Sequence, residues 1–421
     1  MKVLVCPIGS AGDVHPFVGI GVTLAKRGHD VTVVTSGYFR DLVIRSGLQF
    51  EEIGTADEFL KLAGDPNIWH PIRGMSYIFK HGILPTMPRQ YDGIRNLYSP
   101  GETILIASCL GFGARTAHES FNLPLVTVHL QPQVLWSSRR SPKMALPAML
   151  GDWVPSWFKQ LQFNIGERIL INSQLLAATN QFRDCHRLPP IQRATSYFYS
   201  PQCNIGLFPD WYGPPQPDWP SPTWVTGFPL WDESSICEVS DELESFLNEG
   251  EPPIVFTPGS AMMHGKQFFK TAVAACMRMG ARGLLLSRFS NQIPEDLPCA
   301  IRHFKYLPFS QVLHRSAALV HHGGIGTVSQ ALAAGIPQLI MPMSHDQPDN
   351  AHRIKRLGVG DKISRRSFQA PKVSRTLNTL LYSASVREKC QAIARRMQGD
   401  DALEATCNII DAVGTRCTNL S

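Results

Sequence analysis

Apolar and polar positions alternate along the chain in a rhythm that runs twice. Short β-branched runs at 3–7, 31–35, 103–107 and 125–129 read as strands. The segments at 17–27, closed by Gly28, and near 113–121 carry the three-to-four-residue spacing of helices. Strand, helix, strand in this order predicts a parallel sheet with crossover helices. The rhythm lapses in a stretch rich in proline and tryptophan, where Pro209, Pro214, Pro215, Pro220 and Pro222 lack the N–H donors a ladder needs. It restarts with strands at 253–257, 282–287, 317–321 and 338–341, and helices at 266–279, 309–315, 327–334 and 345–357. A chain of 421 residues exceeds what one hydrophobic core supports, roughly 250 to 300 residues. The pattern therefore predicts an α/β chain of two Rossmann-like, doubly wound domains facing a central cleft. The expected boundaries are 1–215 for the first domain, 216–235 for a linker, 236–400 for the second domain and 401–421 for a last helix returning to the first.

The two openings echo one another. Strand, Gly9-Ser10-Ala11, helix, Gly28, strand is matched by strand, Gly259-Ser260-Ala261, helix, Gly280, strand. In such sheets ligands sit beyond the carboxyl ends of the strands, which is where candidate chemistry is to be sought.

Composition narrows the class. Hydrophobic residues make up 43% and charged residues 18%, enough for packed cores and far from the balance of a disordered chain. No apolar run approaches the roughly 18 residues of a membrane span, and the opening apolar run is too short for a secretory core, so the expected location is the cytoplasm. The ten cysteines are scattered without a C-x-x-C pair, which fits reduced thiols and argues against zinc. A net charge of +6 is too small over this length to suggest nucleic acid. Its distribution matters more: 362–396 holds nine Lys or Arg against Glu388, +8 in all, leaving −2 for the rest. A solvated helix face is the plain reading of that segment; peripheral contact with the inner face of a membrane is the functional one.

Three segments carry candidate chemistry. His321-His322-Gly323-Gly324-Ile325-Gly326-Thr327 lies between a strand and a helix. Glycines let backbone N–H groups approach an anion, the helix start adds partial positive charge and Thr327 offers a hydroxyl, so this is a candidate phosphate cradle. A tight turn is the alternative. His345-Asp346-Gln347-Pro348-Asp349-Asn350 follows another strand end and can accept from and donate to vicinal sugar hydroxyls; helix capping is the alternative. Gly9-Ser10-Ala11-Gly12-Asp13-Val14-His15-Pro16 ends in an acid that would repel phosphate, so it suits proton chemistry or hydroxyl binding, again with an N-cap as the alternative. A G-x-S-x-G elbow, a D-x-D metal pair and a nicotinamide-ribose acid are all absent from the sequence.

Together these residues resemble a GT-B glycosyltransferase of the UDP-glycosyltransferase superfamily. Tyr306-Leu307-Pro308, His322 to Thr327, Ala334-Gly335-Ile336-Pro337, Pro342 and Asp346-Gln347 follow that family's donor-sugar signature in order and spacing. The loop from Gly9 to Val14, with Pro16, resembles the sterol and glycopeptide-antibiotic branches. Gly64-Asp65-Pro66 with Trp69, the run from Leu207 through Trp219-Pro220 to Leu230, and His345-Asp346-Gln347 are similar to the bacterial rhamnosyltransferases of rhamnolipid synthesis and their relatives.

The resemblance implies a division of labour. His322 would contact the diphosphate of a nucleotide sugar, with Gly324, Gly326 and Thr327 lining it and Ser260 nearby. Asp346 and Gln347 would hold sugar hydroxyls, Leu307 the base, and Gln330 a ribose hydroxyl where many members place Glu. Asp13 would be the general base, with His15 as its substitute. Two further departures stand out: Tyr306 replaces the family's stacking Trp, and Ser108 stands where plant members place an Asp. Transfer would invert the anomeric carbon, with the helix start and His322 taking the charge for which other enzymes use a metal; no metal or cofactor is implied, the nucleotide sugar being a co-substrate. UDP-glucose is the expected donor ahead of dTDP-rhamnose. Trp69, Trp136 and Trp153, with Trp157 and Phe158, suggest an apolar hydroxylated acceptor such as a hydroxy fatty acid, polyketide, sterol or phenol. The rival classes are a non-catalytic nucleotide-sugar-binding subunit and a GT-B-shaped epimerase or phosphorylase.

Overall fold

A computed structural model describes residues 1–143, 153–237, 240–399 and 401–418. It divides into two units, Met1–Pro229 with Asp401–Ser421, and Leu230–Asp400. In the first, Val3, Leu4, Val5 and Cys6 are buried on both faces of the sheet, as the strands of a doubly covered parallel sheet must be. That sheet has seven strands: β1 (Lys2–Cys6), β2 (Asp30–Thr35), β3 (Gln49–Glu52), β4 (Thr103–Ser108), β5 (Leu125–His129), β6 (Cys203–Gly206) and β7 (Thr223–Val225). Their order is β3-β2-β1-β4-β5-β6-β7, all parallel, with Cys6 in register with Ala107. The order reverses between β1 and β4, which opens a crevice beyond their carboxyl ends.

β7 corrects the expected linker. Thr226 N–H donates to Gly206 O at 3.1 Å and Asn204 N–H to Pro222 O at 3.0 Å, so a short edge strand inside 216–235 belongs to the first sheet and the first unit runs on to Pro229. The prolines fall in the loops before an edge strand, where missing donors cost least. The helix Ala11–Lys26 likewise starts ahead of the expected 17, with Pro16 inside it. The helix Ala402–Thr418 packs on it: Cys407 Sγ reaches Ile20 O, Arg27 pairs with Asp411 at 2.6 Å and with Glu404, and Thr406 bonds Thr226.

The second unit holds six parallel strands: β8 (Ile254–Thr257), β9 (Gly283–Leu286), β10 (Ile301–Phe304), β11 (Ala318–His321), β12 (Gln338–Ile340) and β13 (Gly360–Lys362). The order β10-β9-β8-β11-β12-β13 reverses between β8 and β11. β10 and β13 were not legible as strands: the first, Ile301–Phe304, mixes Arg and His with apolar residues and the second is only three residues long. All nine cations of 362–396 are exposed, on β13, the turn after it and the helices Ala370–Tyr382 and Ala384–Met397. Among the described residues no helix is long and apolar enough to cross a membrane.

Candidate active site

In the first unit the crevice is lined by the turn after β1 and the end of β4. Ser10 caps the helix Ala11–Lys26, and the Asp13 carboxylate folds back on it, Oδ2 accepting from Ser10 N–H at 2.7 Å and Ser10 Oγ–H at 3.0 Å. This is the reciprocal cap that the sequence left as the plain alternative. It does not exhaust Asp13, however. The carboxyl sits where burial raises its pKa above the usual value, the Ser10 bonds pulling the other way without cancelling it. Gly9, at φ +139°, leaves room for this arrangement, because a Cβ there would overlap the Asp13 carboxyl. Ser108 Oγ accepts Ile8 N–H at 3.2 Å, so the residue standing in place of an Asp holds the turn instead of orienting a base. Cys109 follows β4; burial and then the charge of the Asp13 carboxylate push its thiol up to about 12. His15, two residues along the helix, points away from Asp13, since i and i+2 do not share a face.

In the same unit burial pushes the Tyr199 phenol up, with the Cys109 thiol adding to the effect, and its hydroxyl donates to Val134 O at 2.9 Å. Tyr199 also lines a pocket of about 290 Å³ with Trp136, Phe163, Phe198 and Trp219. The Trp219 indole N–H is buried there without an acceptor. Of the three tryptophans expected to meet an acceptor, only Trp136 is in this lining. Trp69 ends the short 3-10 turn Pro66–Trp69, and Trp153 is exposed on the surface, so neither shares the pocket.

In the second unit the two histidines after β11 divide in role. His321 is fully buried; its Nε2 bonds Gln338 Oε1 at 3.0 Å and its Nδ1 accepts Gly323 N–H at 3.1 Å, while burial lowers its pKa to about 3. It is a neutral brace for the loop. His322 is held between two backbones: a Cβ on Gly259 would lie 2.8 Å from its Cε1, and one on Gly324 would lie 2.6 Å from its Nε2. Both glycines are thus required by the imidazole, which brings the turn after β8, with exposed Ser260, to the turn after β11. His322 Nδ1 is buried without a partner. Burial, then the neighbouring His345, lower its pKa to about 4, so it is neutral at pH 7.

Gly324 is the N-cap of the helix Ile325–Ala333 and supplies no capping side chain. The N–H groups of Ile325, Gly326 and Thr327 open the helix without that satisfaction, and a Cβ on Gly326 would meet nothing within 4 Å. The sugar-binding candidates are tied to this turn through Asn350, the last residue of the segment read from sequence as meeting sugar hydroxyls. Its Nδ2 donates to Gly323 O at 2.9 Å and Asp346 Oδ2 at 2.7 Å, so one amide joins the two loops. Gln347 is buried, and its Oε1 accepts Met343 N–H at 2.8 Å and Ser344 N–H at 3.2 Å. Only its amide NH2 is left to meet a hydroxyl. His345 between them takes φ +57°, an uncommon conformation for a residue with a Cβ and one found at functional turns. Gln330 commits its Nε2 to Leu230 O at 3.2 Å, keeping Oε1 as an acceptor. Leu307 packs at the edge of the core, and beside it the Arg288 guanidinium lies 5.0 Å from the ring centre of Tyr306, covering one of its faces. Arg288 was not singled out in the sequence because nothing local marks it; it reaches Tyr306 from the turn after β9.

Comparison with known proteins identifies the fold and the kind of enzyme. Residues 3–135 match the model of the glycosyltransferase family 28 N-terminal domain, and 286–407 that of the erythromycin biosynthesis protein CIII-like C-terminal domain. The O-mycaminosyltylonolide 6-deoxyallosyltransferase of Streptomyces fradiae is 28% identical, over 98% of this chain and 97% of its own. Glycosyltransferase GtfC of Amycolatopsis orientalis is 26% identical over 98% of each. The sterol 3-beta-glucosyltransferase UGT80A2 of Arabidopsis thaliana is 25% identical, this chain spanning 64% of its length. Among solved structures, the glycotransferase of kitacinnamycin superposes with a TM-score of 0.75 at 16% identity, covering 98% of both chains. VinC, solved in complex with dTDP, gives 0.69 at 18%, covering 99% of this chain and 100% of its own. The chain is therefore a glycosyltransferase of GT-B fold, with a family 28 N-terminal domain followed by an EryCIII-like C-terminal domain.

Proposed function

We propose that the chain moves a hexose from a nucleoside diphosphate sugar to a hydroxyl of an apolar small-molecule or lipid acceptor, with inversion at the anomeric carbon. The observation that carries this reading is the uncapped helix start at Gly324 with the unpartnered Nδ1 of His322 in the adjoining turn. Backbone N–H groups and one neutral imidazole form a site that costs little to leave empty and gains when a diphosphate arrives. In the reaction the acceptor oxygen attacks the anomeric carbon, its proton passes to Asp13, and the bond to the diphosphate breaks. The helix start and His322 stabilise the charge growing on the leaving group. Asp346 and the Gln347 amide hold the sugar, Gln330 Oε1 a ribose hydroxyl, and Leu307 the base. Nine of the ten cysteines are free thiols, which supports a cytoplasmic setting.

The pocket supports the acceptor reading, because its wall combines the rings of Trp136, Phe163, Phe198, Tyr199 and Trp219 with polar groups such as Thr195 and Asp218 that can meet a hydroxyl. At about 290 Å³ it lies at the lower end of the ~300–1,000 Å³ range of small-molecule sites. Relatives named for transfer to a tylonolide and to sterols point to apolar hydroxylated acceptors of the same kind.

UDP-glucose is the donor we favour, since Asp346 can accept from hydroxyls that a 6-deoxy sugar shares only in part. dTDP-rhamnose is the second reading, supported by the relative named for a 6-deoxyallosyl transfer and by the neighbour holding dTDP. With Gln330 uncharged, loss of the ribose 2′-hydroxyl forfeits about 1 kcal/mol, so both nucleotides should bind within about tenfold of each other. Competition between UDP and dTDP, followed by mass spectrometry of products from both sugars, decides this. A preference for dTDP beyond tenfold, with dTDP-rhamnose the better donor, replaces UDP-glucose.

Asn350→Ala should separate the two loops. Binding of UDP-glucose is expected to weaken about tenfold, roughly 1.4 kcal/mol, and that of UDP by less, because the bridge acts on Asp346. Equal loss for both ligands in calorimetry would mean that Asn350 serves only the phosphate turn.

A further inference from the structure

The helix Ser156–Gly166, continued by the π-helical segment Glu167–Asn172, presents two unlike faces. Gln160, Phe163 and Glu167 line the aromatic pocket. Elsewhere on its surface Trp157, Leu161, Ile165 and Ile169 recur at four-residue steps, exposed by 69, 48, 50 and 61%. Such a row is a continuous ridge, here about 18 Å long at ~1.5 Å per residue. Trp153 at 87%, Phe158 and Leu170 extend the exposed apolar surface. Ile72 and Met75, also exposed, add to it, because Ser76 Oγ–H donates to Gln174 Oε1 just past the ridge. Single exposed apolar side chains are ordinary on a soluble protein, whereas a contiguous set marks an interaction surface.

The charges around it select the partner. Within 70–81, 139–143 and 153–173 the exposed charged side chains include Arg73, Lys80, Arg139, Arg140 and Arg168. The one acid in these stretches, Glu167, is buried under Arg193. Arg139 is beside the ridge, its carbonyl accepting from Lys159 Nζ at 3.4 Å. A second copy of the same face would bring cation against cation. An anionic bilayer offers the reverse, negative headgroups for the rim and an apolar interior for Trp157, Leu161, Ile165 and Ile169. Tryptophan at the margin of such a face suits the headgroup boundary, where one part of the ring is dry and the N–H is wet.

We propose that this face of the first unit, built on the ridge from Trp157 to Ile169 and rimmed by Arg73, Arg139, Arg140 and Arg168, docks on an anionic phospholipid surface. The cationic segment 362–396 offers charge with Tyr382 as its large exposed hydrophobic side chain and no comparable row. Docking sets the back of the acceptor pocket one helix thickness, about 10 Å, from the lipid.

Co-sedimentation of the full chain with phosphatidylcholine vesicles, with and without phosphatidylglycerol, tests this. Partition is expected with the mixed vesicles, weakened by salt, and reduced at least about tenfold in Leu161→Ser/Ile165→Ser. Melting temperature and UDP binding should be unchanged in that variant, which shows that it folds. Arg139→Glu/Arg140→Glu, far from the apolar core, is expected to lower partition by itself. The proposal is overturned if wild type does not sediment with mixed vesicles, if both ridge and rim variants sediment as wild type does, or if only Arg365→Glu/Arg366→Glu abolishes sedimentation. Dimerisation in sedimentation velocity without lipid that the ridge variant abolishes would likewise assign the face to a second copy.

Discussion

Asp13→Asn is expected to lower turnover by roughly 10²- to 10⁴-fold, the loss typical of a general base, while nucleotide binding stays at wild-type strength. The substitution keeps the side-chain shape, and its carbonyl oxygen still accepts from Ser10, so the turn after β1 is preserved. The sign of the accompanying stability change follows from the same burial. The folded carboxyl has a raised pKa, so folding favours its protonated form, and the cost of ionising it grows as pH rises through that pKa. At pH 7 the amide removes this cost, and the variant should melt no lower than wild type. Activity runs the other way: the base must be ionised, so kcat/KM should fall as pH drops through a value above the ordinary carboxylate range, and that limb should vanish in the variant. Single-turnover rates with melting curves check both. Turnover within about threefold of wild type removes Asp13 from the mechanism and moves attention to His15, a stronger base at neutral pH.

His322→Ala should weaken UDP or dTDP by about ten- to hundredfold, corresponding to roughly 1.5–3 kcal/mol for a hydrogen bond to a charged group, and leave uridine or thymidine nearly unaffected. The pKa near 4 in the free protein adds a second readout. A diphosphate beside the ring raises that value, so binding takes up protons and the wild-type advantage over His322→Ala should widen as pH falls. Comparing the two proteins cancels the titration of the nucleotide itself. Calorimetry in buffers of different ionisation enthalpy measures the uptake. Equal affinity for nucleoside and nucleoside diphosphate in wild type would sink the phosphate-cradle reading.

The sequence was most legible where one residue type had one physical use. β1, β4, β5 and β11 stand out as apolar runs because both their faces are buried, and the glycines at 9, 259 and 324 mark places where a Cβ would strike Asp13 or His322. The edge strand inside the expected linker was missed because a proline-rich stretch before a three-residue strand carries the same signal as a plain connection, while the boundary between the units, Pro229 to Leu230, falls within that linker. Within the site, spacing alone could not separate the paired histidines, though the resemblance pointed to His322; the structure ties His321 Nε2 to Gln338 Oε1 on the neighbouring strand β12 and leaves His322 Nδ1 without a partner. Gln347 and Gln330 look free to meet ligand in the sequence, but each commits half its amide to backbone groups that no spacing rule reveals. Trp153 and Trp157 show the limit from the other side, since an aromatic side chain inside a pocket and one on open surface have the same one-letter code.

The helix Ala402–Thr418 ties the order of synthesis to the order of folding. Its Cys407, beside Ile20, and its acids, beside Arg27, belong to a unit whose other strands all lie before Pro229. The ribosome must add Leu230–Asp400, 171 residues, before that helix can exist. At ~5–20 residues per second the first unit waits about 10 to 35 s with one side of the helix Ala11–Lys26 uncovered. During that interval the nascent chain has a complete seven-stranded sheet and an unfinished surface, so chaperones have a defined substrate and a defined time to hold it. The second unit, whose six strands are contiguous in sequence, can close within itself as soon as it emerges.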